Sequence, residues 1–322
     1  MAERERARTH ALEISKVEGR RAVTLVSPEA GVQATLVPGL SMLCSSLTLD
    51  GKELLGHPET LRAYAEEGRA TGMPLLHPWA NRLGGLRLAG LDRDTIDPAS
   101  PLVPVDDNGL PIHGLRTVDA GWTVTREHAD EAGATVAAAL DYPADGALGH
   151  AFPFPHRIEV TTELRTDTLA VTTEIAATGA TPVPISFGWH PYFRLPGVPR
   201  REWVVSLPVT CHAALDAWGL PTGADERVSA IEGTLGDRTF DDLFPIHATG
   251  AVFALGGGAS RLEVTFDEGY PLAHVYAPSA RDVIAIEPMT APTNALVTGE
   301  RLTRLAPGES YRATFTVRLS PA

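Results

Sequence analysis

Apolar and polar residues alternate with a period of two along much of this chain. In YRATFTVRLS, Tyr311, Ala313, Phe315, Val317 and Leu319 fall on one side, and Arg312, Thr314, Thr316 and Arg318 on the other. That is the pattern of a strand with one buried face. HRIEVTTEL repeats it with Ile158, Val160, Thr162 and Leu164, and LEVTF with Leu262, Val264 and Phe266. SLTLDGKELL reads as a hairpin, because Asp50-Gly51 suits a two-residue turn with positive φ. Only PETLRAYAEEG resembles a helix, with Pro58 near its start and Gly68 past its end. The 30 glycines and 26 prolines are spread between the short runs as turn punctuation. Many short strands with frequent turns predict an all-β chain folded as a large antiparallel β-sandwich. No repeat period, low-complexity linker or charge block divides the sequence, so one domain over residues 1–322 is the simplest expectation. Two smaller β domains meeting near ADGALGHAFPFPH are the alternative.

Composition narrows the function. Hydrophobic residues make up 43% and charged residues 21%, ordinary globular values that allow a sizeable core. Acidic residues outnumber basic ones 40 to 27, a formal charge of −13 that repels polyanions and argues against a nucleic-acid partner. Cys44 and Cys211 are too few and too far apart for a disulfide framework or zinc site, and two buried free thiols are expected. The opening MAERERARTHALEISKVEG has no apolar stretch of the kind a secretory signal needs, and no apolar run is long enough to span a membrane. A soluble, cytoplasmic protein without membrane association is expected.

Several polar groups stand where the pattern predicts burial. Glu287 follows the apolar run Val283-Ile284-Ala285-Ile286, which suits a strand covered on both faces, and Pro288 ends it. An exposed strand-end carboxylate, one paired with arginine, and a functional acid all fit this position. His190 lies in ISFGWHPYFRL among Trp189, Tyr192 and Phe193. It reads either as a packed core histidine or as a proton donor in an aromatic-walled pocket. GMPLLHPWANRLGG brings His77, Trp79, Asn81 and Arg82 together, a mixture of aromatic face and hydrogen-bonding groups that suits a polyhydroxylated ligand, although an ordinary loop fits as well. NGLPIHGLRTVDAGW contributes His113 beside Gly114. The metal spacings HxH, HExxH and CxxC do not occur. Neither does a G-x-S-x-G elbow, and the GGG of Gly256 to Gly258 lacks the Lys-Ser/Thr of a phosphate loop and reads as a hairpin turn. No metal or cofactor is expected.

Taken in order, these segments resemble the aldose 1-epimerase (galactose mutarotase-like) family. PLLHPWANRLGG is similar to its LLFPWxNRI segment, LPIHG to its LHG, SFGWHPYFRL to its N-H-x-Y-F-N-L, FDDLF to its F-D-x-x-F, and AIEPMTAPTNA to the strand carrying its catalytic glutamate. The resemblance implies a supersandwich of β-sheets that interconverts the α and β anomers of a free sugar. By position, Glu287 would be the general base and His190 the general acid. Arg82 and His113 would bind the sugar, and Asp241 a ring hydroxyl. Trp79, Trp189 and Phe193 are expected to line the sugar site together with His77, and Asn81 with Arg82 to fix its hydroxyls. The partner implied is a small-molecule sugar, and the protein a monomer or homodimer. Trp189 and Arg194 replace the two asparagines of the family signature, His77 replaces its phenylalanine, and Leu115 stands where its second glycine falls. Arg194, Arg200 and Arg201 would suit a hexose 6-phosphate or form a solvated basic loop. A non-catalytic sugar binder and a hydrolase using Asp241 with Glu287 are the competing classes.

Overall fold

The computed structural model describes residues 9–321. Its alternating segments become strands with the predicted faces. Ser310–Pro321 buries Ala313, Phe315, Val317 and Leu319 and leaves Tyr311 partly covered. His156–Arg165 buries Ile158, Val160, Thr162 and Leu164, and Ser260–Glu268 buries Leu262, Val264 and Phe266. Asp50 and Gly51 both adopt positive φ between Leu43–Leu49 and Lys52–Glu53, the geometry of a tight hairpin turn. Gly258, also at positive φ, turns the chain between Ala251–Gly257 and Ser260–Glu268. The helix covers Leu61–Glu67. The Thr60 hydroxyl caps its start by accepting from the Ala63 amide, and Gly68 ends it at φ 76°. Two short helices that the pattern did not predict, Gly146–Ala151 and Ala295–Thr298, are too brief to show a helical period.

Pairing between the strands is antiparallel throughout, and three sheets carry the architecture. The N-terminal strands from Ala11–Val17 to Lys52–Glu53 form a five-stranded meander in sequence order. A nine-stranded sheet has Ser310–Pro321 near its middle, flanked by Ser260–Glu268 and Thr168–Ala177. An eight-stranded sheet joins Phe240–Pro245, Leu272–Ala277 and Ile284–Met289 side by side, with the short Gly188–Trp189 and Tyr192–Phe193 strands on Ile284–Met289. A continuous cluster of buried apolar side chains runs from Val23 to Leu319 and includes one face of each sheet. In the eight-stranded sheet that face presents Phe240, Phe244, Val275, Ile284 and Ile286. Since neighbouring residues on a strand point to opposite sides, Asp241, His274, Tyr276 and Glu287 are turned away from this core.

Cys44 is buried, and its thiol is pushed up to about 12 by burial. Cys211 departs from expectation. It is partly exposed on a strand near the sheet edge, with its sulfur 3.4 Å from Nε2 of His247. Among the described residues no helix is long and apolar enough to cross a membrane.

Candidate functional site

The outward face of the eight-stranded sheet forms the floor of a pocket of about 170 Å³. Register explains the floor. Asp241 lies opposite Tyr276, Tyr276 opposite Ala285, and Ala285 opposite Tyr192, making one row across four strands. One step along the strands, His274 lies opposite Glu287. His190, between the two short strands, is held by its backbone N–H on the Pro74 carbonyl, 3.0 Å away.

Two loops make the walls. His113 N–H donates to the Asn81 carbonyl, Leu83 N–H to Pro111, and Leu115 N–H to His77, so the 77–83 and 111–115 segments are laced together. Asn81 and His113 both sit at positive φ, 59° and 62°, a conformation uncommon outside glycine and frequent at functional sites. Gly114 follows at φ 86°, and a Cβ there would lie 2.2 Å from the His77 carbonyl oxygen. Only glycine permits this approach.

Nε2 of His190 lies 3.1 Å from Oε1 of Glu287, and the two side chains are 5% and 1% exposed. Burial first, and Asp241 after it, pushes Glu287 well above the usual carboxylate range. Burial, then the neighbouring His113 and His274, holds His190 well below an ordinary histidine. His113, edge-on to His190 at 5.2 Å, is lowered to about 3, chiefly by burial and then by Arg82. Tyr192 stacks on His190 at 4.1 Å. Oε2 of Glu287 and Nδ1 of His190 and of His113 are buried and have no hydrogen-bond partner among the described residues. Such atoms are normally satisfied, and hydroxyl groups of a ligand would satisfy them.

Arg82 and Asp241 face each other across the pocket, Nη2 to Oδ2 at 3.8 Å. Arg82 Nε donates to Oδ2 of Asp106 at 2.7 Å, and His274 Nε2 donates to Oδ1 of Asp241 at 2.8 Å. Burial raises the Asp241 carboxyl, but the His274 bond and the nearby Arg82 outweigh it and keep it below its ordinary value. At the mouth, Arg281 pairs with Glu59 at 3.3 Å.

Of the residues singled out in the sequence, Glu287, His190, Arg82, His113, Asp241 and Asn81 line this pocket. Trp189, Phe193, Trp79 and His77 do not, and the expectation that they wall the sugar site is corrected. In the extended GWHPYF segment, His190 and Tyr192 take one side and Trp189 and Phe193 the other. Trp189 packs into the core, its indole N–H donating to the Thr173 hydroxyl at 3.0 Å. Trp79 and Phe193 are fully buried there as well. His77 points into an aromatic cluster, with Nε2 2.9 Å from Nε2 of His156, which stacks on Tyr142. The arginines of the basic loop are also elsewhere. Arg200 is buried and donates to the Gly236, Arg238 and Ala277 carbonyls, and neither Arg194 nor Arg201 lines the pocket. Tyr192, one of the aromatic rings beside His190, does line the pocket, and His274, Tyr276, Arg281 and the supporting Asp106 are site residues to which no motif points. LAHVYA carried a usable signal, since His274 and Tyr276 alternate with apolar neighbours on one strand face.

The sequence model of the aldose 1-epimerase family matches residues 45–318. The chain belongs to the aldose 1-epimerase family. Solved structures share its fold over nearly their whole length. A galactose mutarotase-like protein from Clostridium acetobutylicum superposes with a TM-score of 0.81 at 17% identity, covering 98% of this chain and 99% of the other. Galactose 1-epimerase from Lactobacillus acidophilus gives 0.76 at 18%, covering 97% and 100%. A putative aldose 1-epimerase from Escherichia coli K12 gives 0.70 at 17%, covering 97% and 100%. No curated protein matches the chain. In this epimerase-family chain the strands of the shared fold carry the polar face described above.

Two predictions follow from the packing around the site. Gly114→Ala is expected to cost about 1–3 kcal/mol from backbone strain alone, with more from the contact at the His77 carbonyl, read as a lower denaturant midpoint. A midpoint equal to wild type would show that the two loops part easily. The second concerns the buried imidazoles. Burial, with His156 beside it, holds His77 well below an ordinary histidine, and burial lowers His156 to about 4. The unfolded chain therefore takes up protons that the folded chain refuses. Stability is full above the unfolded value near 6.5 and falls as pH drops toward the folded values, by about 1.4 kcal/mol per pH unit for each such histidine. In His77→Phe the fall in unfolding free energy between pH 6.5 and 4.5 is expected to be shallower. An unchanged slope would place the proton uptake elsewhere.

Proposed function

We propose that this chain is an aldose 1-epimerase that interconverts the α and β anomers of a hexose by opening and reclosing the ring, with Glu287 as base and His190 as acid. The contact between these two side chains carries the reading. The C1 hydroxyl and the ring oxygen of a pyranose are bonded to the same carbon. A base for one and an acid for the other must therefore stand side by side, as Oε1 and Nε2 do at 3.1 Å.

The proton accounting closes within the pair. With Glu287 ionised and His190 protonated, the carboxylate takes the proton of the C1 hydroxyl, the bond from C1 to the ring oxygen breaks, and the imidazolium protonates that oxygen. An open aldehyde remains, with Glu287 neutral and His190 neutral. The aldehyde rotates about the C1–C2 bond. On reclosure His190 takes the proton of the C5 hydroxyl as its oxygen attacks C1, and Glu287 returns a proton to the former carbonyl oxygen. The two protonation patterns hold the same number of protons, so no net exchange with solvent is needed. Burial favours the neutral pattern. Hydrogen bonds from the sugar's reacting oxygens would bring the charged pattern within reach. Arg82, His113, Asn81 and Asp241 supply donors and acceptors for the other hydroxyls.

The sugar is proposed to be unphosphorylated, since Arg194, Arg200 and Arg201 lie outside the pocket and Arg281 at its mouth is paired with Glu59. A sugar-binding protein without turnover remains the contrasting class and needs no adjacent acid and base.

Glu287→Gln is expected to slow anomer exchange at least about 100-fold, measured by NMR or polarimetry on freshly dissolved α-glucose and α-galactose. Retention of the wild-type rate would remove Glu287 from the base role. The pH profile of the wild-type rate is expected to be a broad plateau through neutrality, with macroscopic limbs belonging to the pair. Gaining a proton below the ordinary histidine range stops the reaction, and so does losing one above the ordinary carboxylate range. His190→Asn is expected to remove the alkaline limb, which reports loss of the pair's shared proton, and most of the rate. If it keeps both, the acid is another group.

A further inference from the structure

Arg82 and Asp241, the facing donor and acceptor, are held from behind by groups that do not belong to the acid–base pair. Asp106 is nearly buried. Its Oδ1 accepts the N–H groups of Asn108 and Leu110, both at 2.9 Å, which aims Oδ2 at Nε of Arg82. Asn81 Oδ1 accepts the Arg82 amide at 2.8 Å and its Nη1 at 3.3 Å. With that oxygen committed, the Asn81 amide nitrogen is the atom that faces Nδ1 of His274, 3.3 Å away. It donates there, so the His274 proton sits on Nε2 and is given to Asp241. Asp106, Arg82, Asn81, His274 and Asp241 thus form a chain of hydrogen bonds in which Arg82 and Asp241 return toward each other across 3.8 Å. That separation is too long for a direct hydrogen bond. A single hydroxyl oxygen placed beside the two atoms would accept from Arg82 and donate to Asp241 at once.

We propose that His274 is a positioning residue which, through this chain with Asn81 and Asp106, sets the Arg82–Asp241 gap to read a single sugar hydroxyl as both donor and acceptor. The inference rests on the sugar-epimerase reading for the nature of the ligand but not for the geometry. His274 is 2% exposed at its side chain and lies directly across from Glu287. It spends both ring nitrogens on the recognition groups and gives no hydrogen bond to the proton-transfer pair. A site built to hydrogen-bond a hydroxyl rejects the analogue that lacks it, because its buried polar groups are left unpaired.

The test uses the full chain and two readouts. Equilibrium binding of glucose, galactose and their 2-, 3-, 4- and 6-deoxy analogues is measured by calorimetry or ligand-observed NMR, and anomer exchange is followed in parallel. Wild type is expected to bind one deoxy analogue of the preferred hexose about tenfold or more weakly. His274→Leu is expected to raise Kd and KM for the parent sugar about tenfold, to lose most of that discrimination, and to change kcat less than KM. His274→Gln keeps a donor for Asp241 and is expected to restore much of the affinity and discrimination. Asp106→Asn, which turns an amide toward Arg82, is expected to lose discrimination as His274→Leu does and serves if the latter unfolds. Equal behaviour of the Leu and Gln variants, or discrimination unchanged in both His274→Leu and Asp106→Asn, overturns the proposal. Wild type that binds the sugars without exchanging anomers refutes the epimerase reading and leaves the discrimination test intact. Wild type that binds none of these sugars overturns both.

Discussion

An ionised carboxylate inside a protein is costly unless it is paired, and Glu287 answers this constraint with one neighbour, His190. Either the acid stays neutral and donates to the ring, or the proton crosses and an ion pair forms. Both states satisfy the contact. The surrounding structure keeps this choice open. The core face of the eight-stranded sheet fixes where Glu287 leaves its strand, and the Pro74 carbonyl fixes where His190 leaves its own. Placing a cation directly against either group would settle the proton on one side. Arg82, whose charge acts on Glu287, is instead tied to Asp106 and Asn81.

The strands were legible because the buried face of a sheet imposes a period of two on the sequence, and the Ser310–Pro321, His156–Arg165 and Ser260–Glu268 strands obey it. The same rule sorts the aromatic residues of GWHPYF: Trp189 and Phe193, close to His190 in sequence, alternate with it and belong to the core, while Tyr192 shares its face and lines the pocket. Glu287 was legible as a charge ending an apolar run. His274 carried a similar signal but needed the pairing of Leu272–Ala277 with Ile284–Met289 to bring it opposite Glu287. Asp106 was not legible at all. VDDNG reads as a turn, and indeed Asp106 holds that turn, but its second oxygen reaches an arginine 24 residues away.

The His77 substitution shows a related limit. It stands beside the Trp79–Arg82 segment, and its backbone carbonyl anchors Leu115, yet its ring serves a separate buried cluster with His156 and Tyr142. Backbone and side chain of one residue thus contribute to different parts of the molecule. A polar residue in a site-forming segment need not touch the site.

The row Asp241, Tyr276, Ala285, Tyr192 crosses four strands, three of them from the last third of the chain, and Glu287 stands one step from it. The paired strands Leu272–Ala277 and Ile284–Met289 carry His274, Tyr276 and Glu287, but the opposite wall comes from distant parts of the chain. A chain emerging from the ribosome holds Asn81, Arg82 and His113 long before the strand that gives them an opposite wall. Pairings this distant form late and slowly in a folding chain. The pocket is therefore a property of the finished topology: a refolding population regains its hairpins first, and only molecules that have threaded Ile284–Met289 between its neighbours possess a site.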